Sequence, residues 1–350
     1  MRFCSVFLAP ATLRPPLVTA AVMLALAACQ QEDAGSPTAP ESAPSFAVGS
    51  NTWTARAPIP GEARFGISAA HFPNSDGESL VYVFGGRDEV NGTPFGISVY
   101  NVATNTWGGA PGGPFSVGVS VYNRNGVAAI GSKLYVSGGY NSEDGGVPDF
   151  NNQLWAYDVV SHQLVRKADL PRFTAEGVSG VIAGKLYVLA GQCDADNWPR
   201  AGTCQFANTR KLFRYDPGTN TWATRQPAPH VHRSAAGGVI NGKFYVAGGI
   251  GTRTVDVYDP AANSWKTLAS IPRSGAASGT VLGGKLFVIV GTSAYTYNPQ
   301  NNTWATVASP TFSHEAVVRV RLNGNPRVLA VGGNHGSESS IPNDSELYTP

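Results

Sequence analysis

One stretch of the chain, residues 233–268, carries the pattern on which most of the sequence is built. It runs from Arg233 through small residues and an Asn-Gly pair to the apolar segment KFYVA, which ends at Gly248 and Gly249. A second apolar segment, VDVYD, follows, and after a further turn comes Trp265. Asn-Gly is typical of a tight two-residue hairpin, so the stretch predicts four short strands with turns between them.

The same order of segments recurs six times between residues 51 and 350. In each copy one apolar strand ends in Gly-Gly or a variant of it, at residues 80–86, 133–139, 185–191, 243–249, 285–291 and 327–333. A double Gly after a Tyr-Val strand, a Tyr about eight to twelve residues on and then a Trp resembles the kelch repeat. In the second copy Leu164 stands where the Trp is expected. The resemblance implies an all-β, six-bladed kelch-type β-propeller, with about 50 residues per blade.

The two ends of the repeat region complete each other. The sixth copy stops after residues 345–349, SELYT, whereas residues 51–53, Asn-Thr-Trp, form a fourth strand with no copy in front of them. We therefore expect the N-terminal strand to pair with the last blade and to close the ring, which removes an open sheet edge. Small residues predict the innermost strands, at 68–70, 118–120, 177–180, 234–238 and 275–279.

The N-terminal 28 residues indicate export. An apolar run at residues 17–28 follows two arginines, and it is too short to span a bilayer but fits a signal peptide. It ends in Leu-Ala-Ala-Cys, which resembles the lipobox of bacterial lipoproteins and implies acylation of Cys29. An ordinary signal peptide is the alternative. Residues 29–50 are rich in Ser, Pro and Ala and predict a flexible tether to the propeller at residues 51–350.

The lipobox resemblance implies a lipid-anchored protein of the bacterial cell envelope. Gln30 rather than Asp follows the Cys, which in a Gram-negative envelope favours the outer membrane. Without Arg2 and Arg14 the chain has 23 basic and 23 acidic residues, so no net field draws it to nucleic acid. We expect a monomer that contacts the membrane only through its lipid.

Two cysteines, Cys193 and Cys204, remain in the propeller region. In an exported protein they most simply form a disulfide, and a metal site at the two thiols is the alternative. The carboxylates and amide at residues 194–197 lack the Gly turn and distal Glu of a calcium loop. We therefore expect neither a metal nor a cofactor.

The links between blades bring one residue per blade towards the mouth of the central channel. These candidate ligand-binding residues are Arg64, Arg172, Arg233, Arg273 and His314, and blade two has no counterpart. A partial ring of guanidinium groups suits bidentate contact with a carboxylate or phosphate. The alternative is structural, because an Arg in this kelch turn often pairs with backbone or with a nearby acid. The acids beside these links are Glu62, Glu176 and Glu315.

The loops favour recognition over catalysis. Connections between the second and third strands are long in blades one, two, three and six and short in blades four and five, which predicts a walled cleft for binding. We expect a binding module for a glycan or protein ligand. One family of exported six-bladed kelch proteins interconverts sialic acid anomers, so an enzyme acting on a small anionic sugar, a mutarotase or epimerase, is the alternative. Galactose oxidase has seven kelch blades, and this chain shows no His and Tyr cluster similar to its copper site.

Overall fold

The chain forms a ring of β-sheets. The structure is a computed structural model that describes residues 51–61, 64–73, 77, 79–88, 96–111, 126–141, 149–192, 208–333 and 344–350. Every regular element in these ranges is a β-strand, and they contain no helix long and apolar enough to cross a membrane. Six of the sheets have four antiparallel strands each, and they match the six sequence copies, so the predicted six-bladed β-propeller is confirmed.

The strands follow the chain in blade order, beginning with β1 (Thr52–Arg56). Blade one and its link contain β2 (Arg64–Phe65), β3 (Ser68–Pro73), β4 (Ser79–Phe84), β5 (Arg87–Asp88), β6 (Ile97–Asn101) and β7 (Thr106–Gly109). Blade two contains β8 (Val127–Ile130), β9 (Lys133–Ser137), β10 (Tyr140–Asn141), β11 (Asp149–Phe150), β12 (Leu154–Asp158) and β13 (Gln163–Arg166). Blade three contains β14 (Val178–Ile182), β15 (Lys185–Leu189), β16 (Leu212–Asp216) and β17 (Thr221–Arg225).

The remaining blades repeat this order. Blade four contains β18 (Ala236–Ile240), β19 (Lys243–Ala247), β20 (Val255–Asp259) and β21 (Ser264–Thr267). Blade five contains β22 (Ala277–Leu282), β23 (Lys285–Val290), β24 (Ser293–Asn298) and β25 (Thr303–Val307). Blade six contains β26 (Ala316–Leu322), β27 (Asn325–Val331) and β28 (Ser345–Thr349). Two small sheets, β2 with β5 and β10 with β11, are separate from the six four-stranded sheets and formed by the links and connections of blades one and two.

The predicted ring closure is confirmed. Strand β1 pairs antiparallel with β28, with Thr52 opposite Thr349 and Arg56 opposite Ser345, so the sixth sheet has the order β26-β27-β28-β1. The N-terminal strand thus covers the edge that the last blade would otherwise leave open.

The predicted innermost strands are found in blades one, three, four and five, at β3, β14, β18 and β22. Blade two differs from the prediction. Its innermost strand is β8 rather than residues 118–120, which lie outside the described residues. The prediction relied on small side chains, and in blade two Ala128 and Ala129 supply them near the axis.

The core is divided among the junctions between blades. Each pair of neighbouring blades shares one hydrophobic cluster, so the second strand of each blade is buried on both faces. One position of this strand lies in a different cluster in every blade and is at most 2% exposed. Its six residues are Val83, Val136, Val188, Val246, Val288 and Ala330. Burial on both faces explains why these strands are continuous apolar runs.

A hydrogen-bonded clamp joins most neighbouring blades. In blade four, Asn263 accepts from the Tyr258 hydroxyl at 2.6 Å and from the backbone N–H of Gln226, in the preceding link, at 3.1 Å. Trp265 donates its indole N–H to the carbonyl of the same Gln226 at 2.8 Å. Asn263 has a φ of 48°, a left-handed conformation that Asn adopts more readily than most residues. We call this arrangement the Asn–Tyr–Trp clamp.

The clamp recurs in five blades with the same atoms. Its members are Asn105, Tyr100 and Trp107 in blade one, Asn220, Tyr215 and Trp222 in blade three, Asn263, Tyr258 and Trp265 in blade four, Asn302, Tyr297 and Trp304 in blade five, and Asn51, Tyr348 and Trp53 in blade six. Burial raises the pKa of Tyr215 and of Tyr297 to about 12, so these hydroxyls keep their protons and act as donors.

Candidate functional site

An axial cavity of about 580 Å³ is lined by the innermost strands of all six blades. Its wall consists largely of Gly, Ala, Ser and Val. These residues are small because the blades crowd together near the axis: a Cβ atom on Gly238 would lie 2.6 Å from the Val281 side chain of the next blade. The cavity has the size of a small-molecule site.

Charged and polar groups lie at both ends of this cavity. His314 and Glu315 line it where the chain enters β26, and His71 and Arg319 line it further along the innermost strands. The Nε2 atom of His71 is 3.0 Å from the Ser79 hydroxyl. Burial, with the positive charges of Arg319 and Arg321, lowers the pKa of His71 to about 4, so its ring is neutral near pH 7.

Two acids predicted beside the links hold neighbouring blades together. The Glu315 carboxylate of blade six accepts from the backbone N–H groups of Gly66 and Ile67, which lead into blade one. The Glu176 carboxylate accepts from the Arg233 guanidinium and from the Ser234 hydroxyl, which lead into blade four. Both carboxylates therefore have structural donors. The third acid, Glu62, lies outside the described residues.

The predicted arginines have different surroundings. Arg233 pairs with Glu176 and keeps about a third of its side chain exposed. Arg273 is exposed, and its guanidinium donates to the Ser293 hydroxyl at 3.2 Å. Arg172 is half-buried in the link into blade three, and the backbone of Arg64 lies in β2. Among the described side chains, those of the three arginines lie outside the lining of the axial cavity.

His314, the fifth predicted residue, is buried in a hydrogen-bonded pair. Its Nε2 atom is 2.8 Å from Glu346 of β28, and its Nδ1 atom is 3.1 Å from the carbonyl oxygen of Gly332. His232 of blade four repeats the arrangement, with Nε2 2.9 Å from Asp256 of β20 and Nδ1 3.0 Å from the carbonyl of Gly248. A carbonyl oxygen only accepts, so Nδ1 carries a proton in both rings.

The two carboxylates of these pairs are held in the ionised form. Burial alone would raise the pKa of Asp256, but hydrogen bonds from His232, Thr267 and His230 outweigh burial and lower it. For Glu346 burial is likewise outweighed, by His314 and Thr311, and the pKa falls to about 2. In blade six the backbone N–H of Thr311 contacts the carboxylate, where in blade four the His230 ring does. Each pair holds the link that leads into a blade against the third strand of that blade.

Sequence reasoning missed both histidine–carboxylate pairs and the clamp. A signal was present: Asp256 and Glu346 occupy the second position of the third strand, and a His precedes the innermost strand of the same blade. The clamp has a clearer signal, because an Asn stands two residues before each Trp from Trp53 to Trp304 that belongs to it. Without the fold, neither pattern shows which residues these side chains contact.

The connections over blades four and five are short. Residues 248–254 connect β19 to β20, and residues 291–292 connect β23 to β24. Ile250 on this surface is 42% exposed, and Phe173 in the link into blade three is 37% exposed. Arg253, three residues after Ile250, and Arg273, in the link from blade four to blade five, are also exposed. We call this region, from residues 248–254 to Arg273, the low surface.

Gly249 shapes this surface. Its φ is 118°, and a Cβ atom there would lie 2.6 Å from the carbonyl oxygen of Arg233. The same carbonyl accepts from the backbone N–H of Ile250 at 2.8 Å. The second Gly of the repeat therefore lets the connection pass against the link, and it keeps Ile250 next to Arg233.

Several predictions concern other parts of the chain. Cys29, Cys193, Cys204 and residues 194–197 lie outside the described residues, so lipidation, the disulfide and calcium binding stay predictions. Within the described ranges, no three His, Cys, Asp or Glu side chains lie close enough to hold a metal ion.

The repeat pattern and the ring of four-stranded blades can now be compared with known proteins. The Kelch motif model matches residues 122–164 and 232–272, in blades two and four. Each of these two segments carries a Kelch motif. Kelch-like protein 25 of Homo sapiens is 29% identical over 224 residues, which cover 60% of this chain and 36% of that protein. Kelch-like protein 38 of Rattus norvegicus is 26% identical over 157 residues, covering 44% of this chain and 23% of that protein.

Among solved structures, that of YjhT resembles this kelch-repeat propeller with a TM-score of 0.58. The match covers 82% of this chain and 95% of YjhT, at 18% sequence identity. At that identity the two chains share the fold, and the likeness says nothing about which ligand this chain binds. The chain spans about a quarter to a third of the length of the Kelch-like proteins above, so their likeness concerns the kelch region alone.

Proposed function

We propose that this kelch-repeat propeller binds a protein or glycan ligand through the low surface. The observation that carries the proposal is that Ile250, Arg253 and Arg273 are all exposed on this surface. The Arg253 guanidinium donates to the carbonyl oxygen of Ile271 at 2.8 Å, which holds it in place. Binding residues are often found on loops that a rigid scaffold holds in place. An apolar side chain beside planar cations suits a ligand that carries carboxylates next to an apolar or ring surface.

The kelch-propeller fold itself favours an interaction module. Both described acids near the links, Glu176 and Glu315, accept hydrogen bonds from neighbouring residues. A general base must have its carboxylate within reach of the reacting proton, and these two carboxylates already bridge blades. Because both carboxylates already accept hydrogen bonds within the fold, they support a binding function rather than a catalytic one.

The ligand class is tested with panels of acidic and neutral oligosaccharides and of acidic peptides, scored by thermal shift and by direct binding. Arg273→Ala is expected to weaken binding of an acidic ligand about tenfold, since hydrogen bonds to charged groups contribute about 1.5–3 kcal/mol. Lys266→Ala removes one exposed charge from the outer strand of the neighbouring blade four and is the control. Equal binding by both variants would remove the low surface from consideration.

An enzyme acting on a small anionic sugar is the second candidate. The axial cavity supports it, because about 580 Å³ is enough for one sugar. Anomer interconversion of sialic acid, followed by NMR with and without the protein, tests this candidate directly. An unchanged rate at high protein concentration would discard it.

The proposal includes a lipid anchor at Cys29, which the lipobox-like sequence supports. Several acyl chains on one Cys would hold the protein stably, at about 0.8 kcal/mol per buried methylene. Cys29→Ser is expected to move the protein from the membrane fraction to the soluble fraction of the producing bacterium. Membrane association without any lipid label on the wild-type protein would refute the anchor.

A further inference from the structure

One layer of the axial wall combines apolar side chains with an imidazole and a guanidinium. In blade four the buried Tyr258 of the third strand lies opposite Phe244 of the second strand, which lies opposite Val239 of the innermost strand. The same register of three strands recurs in every blade. We call the six equivalent residues of the innermost strands the Val239 tier. From blade one to blade six they are His71, Ala129, Val181, Val239, Val281 and Arg319.

The two polar members of this tier belong to neighbouring blades. His71 lies on β3 of blade one and Arg319 on β26 of blade six, and these two innermost strands pack against each other. Every member of the tier except Val181 lines the axial cavity. One side of the tier therefore offers polar groups to the cavity, whereas the other side is apolar.

His71 contributes a neutral imidazole. Burial, and then the positive charges of Arg319 and Arg321, lower the pKa of its ring to about 4, so the ring is uncharged near pH 7. Its Nε2 atom lies 3.0 Å from the Ser79 hydroxyl, which also accepts from the backbone N–H of Arg321 at 2.9 Å. When Ser79 donates its own proton to Nε2, the proton of the neutral ring is on Nδ1. That N–H can then donate to an anion.

Arg319 contributes the positive charge. Its backbone N–H donates to the Thr280 hydroxyl of blade five at 3.1 Å, which fixes the height of Arg319 along the cavity. A guanidinium has five N–H donors in a planar fork, so it can bind a carboxylate through two of them while the others keep contacts within the fold. In apolar surroundings such charge-assisted hydrogen bonds are stronger than in water.

We propose that the axial cavity binds a small organic acid, with its carboxylate at Arg319 and His71 and its carbon chain against Ala129, Val239 and Val281. The cavity, of about 580 Å³, has room for such a molecule. The apolar side of the tier favours an acid with a carbon chain over a wholly hydrophilic anion such as phosphate. This site does not depend on a ligand at the low surface or on any catalysed reaction.

A series of simple compounds tests the site on the wild-type chain. Acetate, butyrate, hexanoate, butyramide and inorganic phosphate are titrated separately into the full-length protein at pH 7, and the heats of binding are measured. Each methylene buried against the tier is expected to raise the affinity about fourfold, so butyrate should bind about tenfold or more tightly than acetate. Butyramide has the same size without the charge, and it should bind about tenfold more weakly than butyrate. Equal binding of butyrate and butyramide, equal binding of butyrate and phosphate, or no binding of any acid would overturn the proposal.

A matched pair of variants locates the site. Arg319→Gln is expected to weaken butyrate binding about tenfold, because the charged partner of the carboxylate is lost. Arg321→Gln removes the same charge from the same strand, two residues nearer the hairpin turn and outside the cavity lining. It is expected to change the affinity by less than about twofold, since the charge of an exposed side chain is screened by salt. Circular dichroism confirms that both variants are folded. Equal weakening by both would indicate a general attraction by positive charge and would contradict a site at Arg319.

The ring of His71 reports binding without any substitution. In NMR spectra of the wild-type protein, butyrate is expected to shift the His71 ring resonances saturably, and butyramide is expected to shift them far less. This measurement decides the question if Arg319→Gln fails to fold. Butyrate binding that leaves the His71 ring resonances unchanged would place the ligand elsewhere and refute the site.

Discussion

The Tyr348 hydroxyl donates a hydrogen bond to the Asn51 side chain at 2.9 Å, although 297 positions separate the two residues. Asn51 also accepts from the backbone N–H of Ala308 at 2.7 Å, and Trp53 donates to the carbonyl of Ala308 at 2.7 Å. In other blades the Asn, Tyr and Trp of the clamp belong to one hairpin. In blade six the two ends of the chain therefore form together the clamp that one continuous segment supplies in the other blades.

Removal of β1 should destabilise the ring. A chain that begins at residue 59 loses the pairing of β1 with β28 together with Asn51 and Trp53, and it exposes a sheet edge. We expect its melting temperature to fall by several degrees, or the chain to aggregate. A chain that begins at residue 31 is the control and should melt like the full-length protein. Equal melting of both truncated chains would contradict a stabilising role for β1.

The clamp Asn should contribute more to stability than its counterpart in blade two. Asn263→Ala leaves the Tyr258 hydroxyl and the Gln226 N–H without their acceptor, at a cost of about 1–3 kcal/mol in the free energy of unfolding. His162→Ala is the matched control, since both positions have left-handed φ, 48° and 57°, and Ala is strained equally at both. Urea unfolding measures both losses. A loss for His162→Ala as large as that for Asn263→Ala would contradict the role of the hydrogen bonds.

The hairpin of blade three contains a strained residue. Ala183 has a φ of 47°, whereas the corresponding hairpins of blades four and six use Asn241 and Asn323, each followed by Gly, at φ 50° and 51°. Asn adopts this conformation at lower cost than Ala. Ala183→Asn should therefore raise the free energy of unfolding by roughly 0.5–1 kcal/mol. Asn241→Ala should lower it by a similar amount, and unchanged stability in both variants would show that neither turn is strained.

Glu346 should give the protein a defined acid sensitivity. Burial acts to raise the pKa of Glu346, but hydrogen bonds from His314 and Thr311 prevail and lower it from 4.5 to about 2. Because the pKa is lower in the folded state, the carboxylate stabilises the fold fully above pH 4.5. This contribution is lost as the pH falls from 4.5 towards 2. Its size is on the order of 1–3 kcal/mol.

Urea unfolding at a series of pH values tests this prediction. Glu346→Gln should be less stable than the wild type at pH 7 and should lose less stability between pH 4.5 and 2. Asp259→Asn is a suitable control, because the pKa of Asp259 is also lowered, by Lys243, but this ion pair lies at the surface. An acid dependence that is the same in wild type and Glu346→Gln would argue against the buried pair.

The local pattern was sufficient for most of the fold. Gly-Gly after an apolar run, Asn-Gly turns and the Trp near the end of most copies predicted six blades and the closure by residues 51–53. These features depend on neighbours close in sequence or on counting repeats. The inner strand of blade two was misplaced, because small residues at 118–120 and at 128–129 look alike without the register of β8 with β9.

The site residues were less predictable. Arg233 and His314 occupy similar places in the sequence pattern, yet one pairs with Glu176 near the surface and the other is buried against Glu346. Their partners come from the preceding blade in one case and from a later strand of the same blade in the other. A side chain of either type could serve a ligand or the fold, and the available partners decide which.

The sequence by itself therefore determined the blades, their number and the strand that closes the ring, because strands and turns follow from apolar runs and turn residues that act over a few positions. Only the tertiary structure decided which side chains face each other between blades. It joined Asn51 to Tyr348, placed the Pro111 carbonyl opposite Tyr157, and buried Asp256 beneath two histidines. The physical reason is that hydrogen bonds and ion pairs form at distances of about 3 Å between atoms that the chain brings together only when the ring is complete.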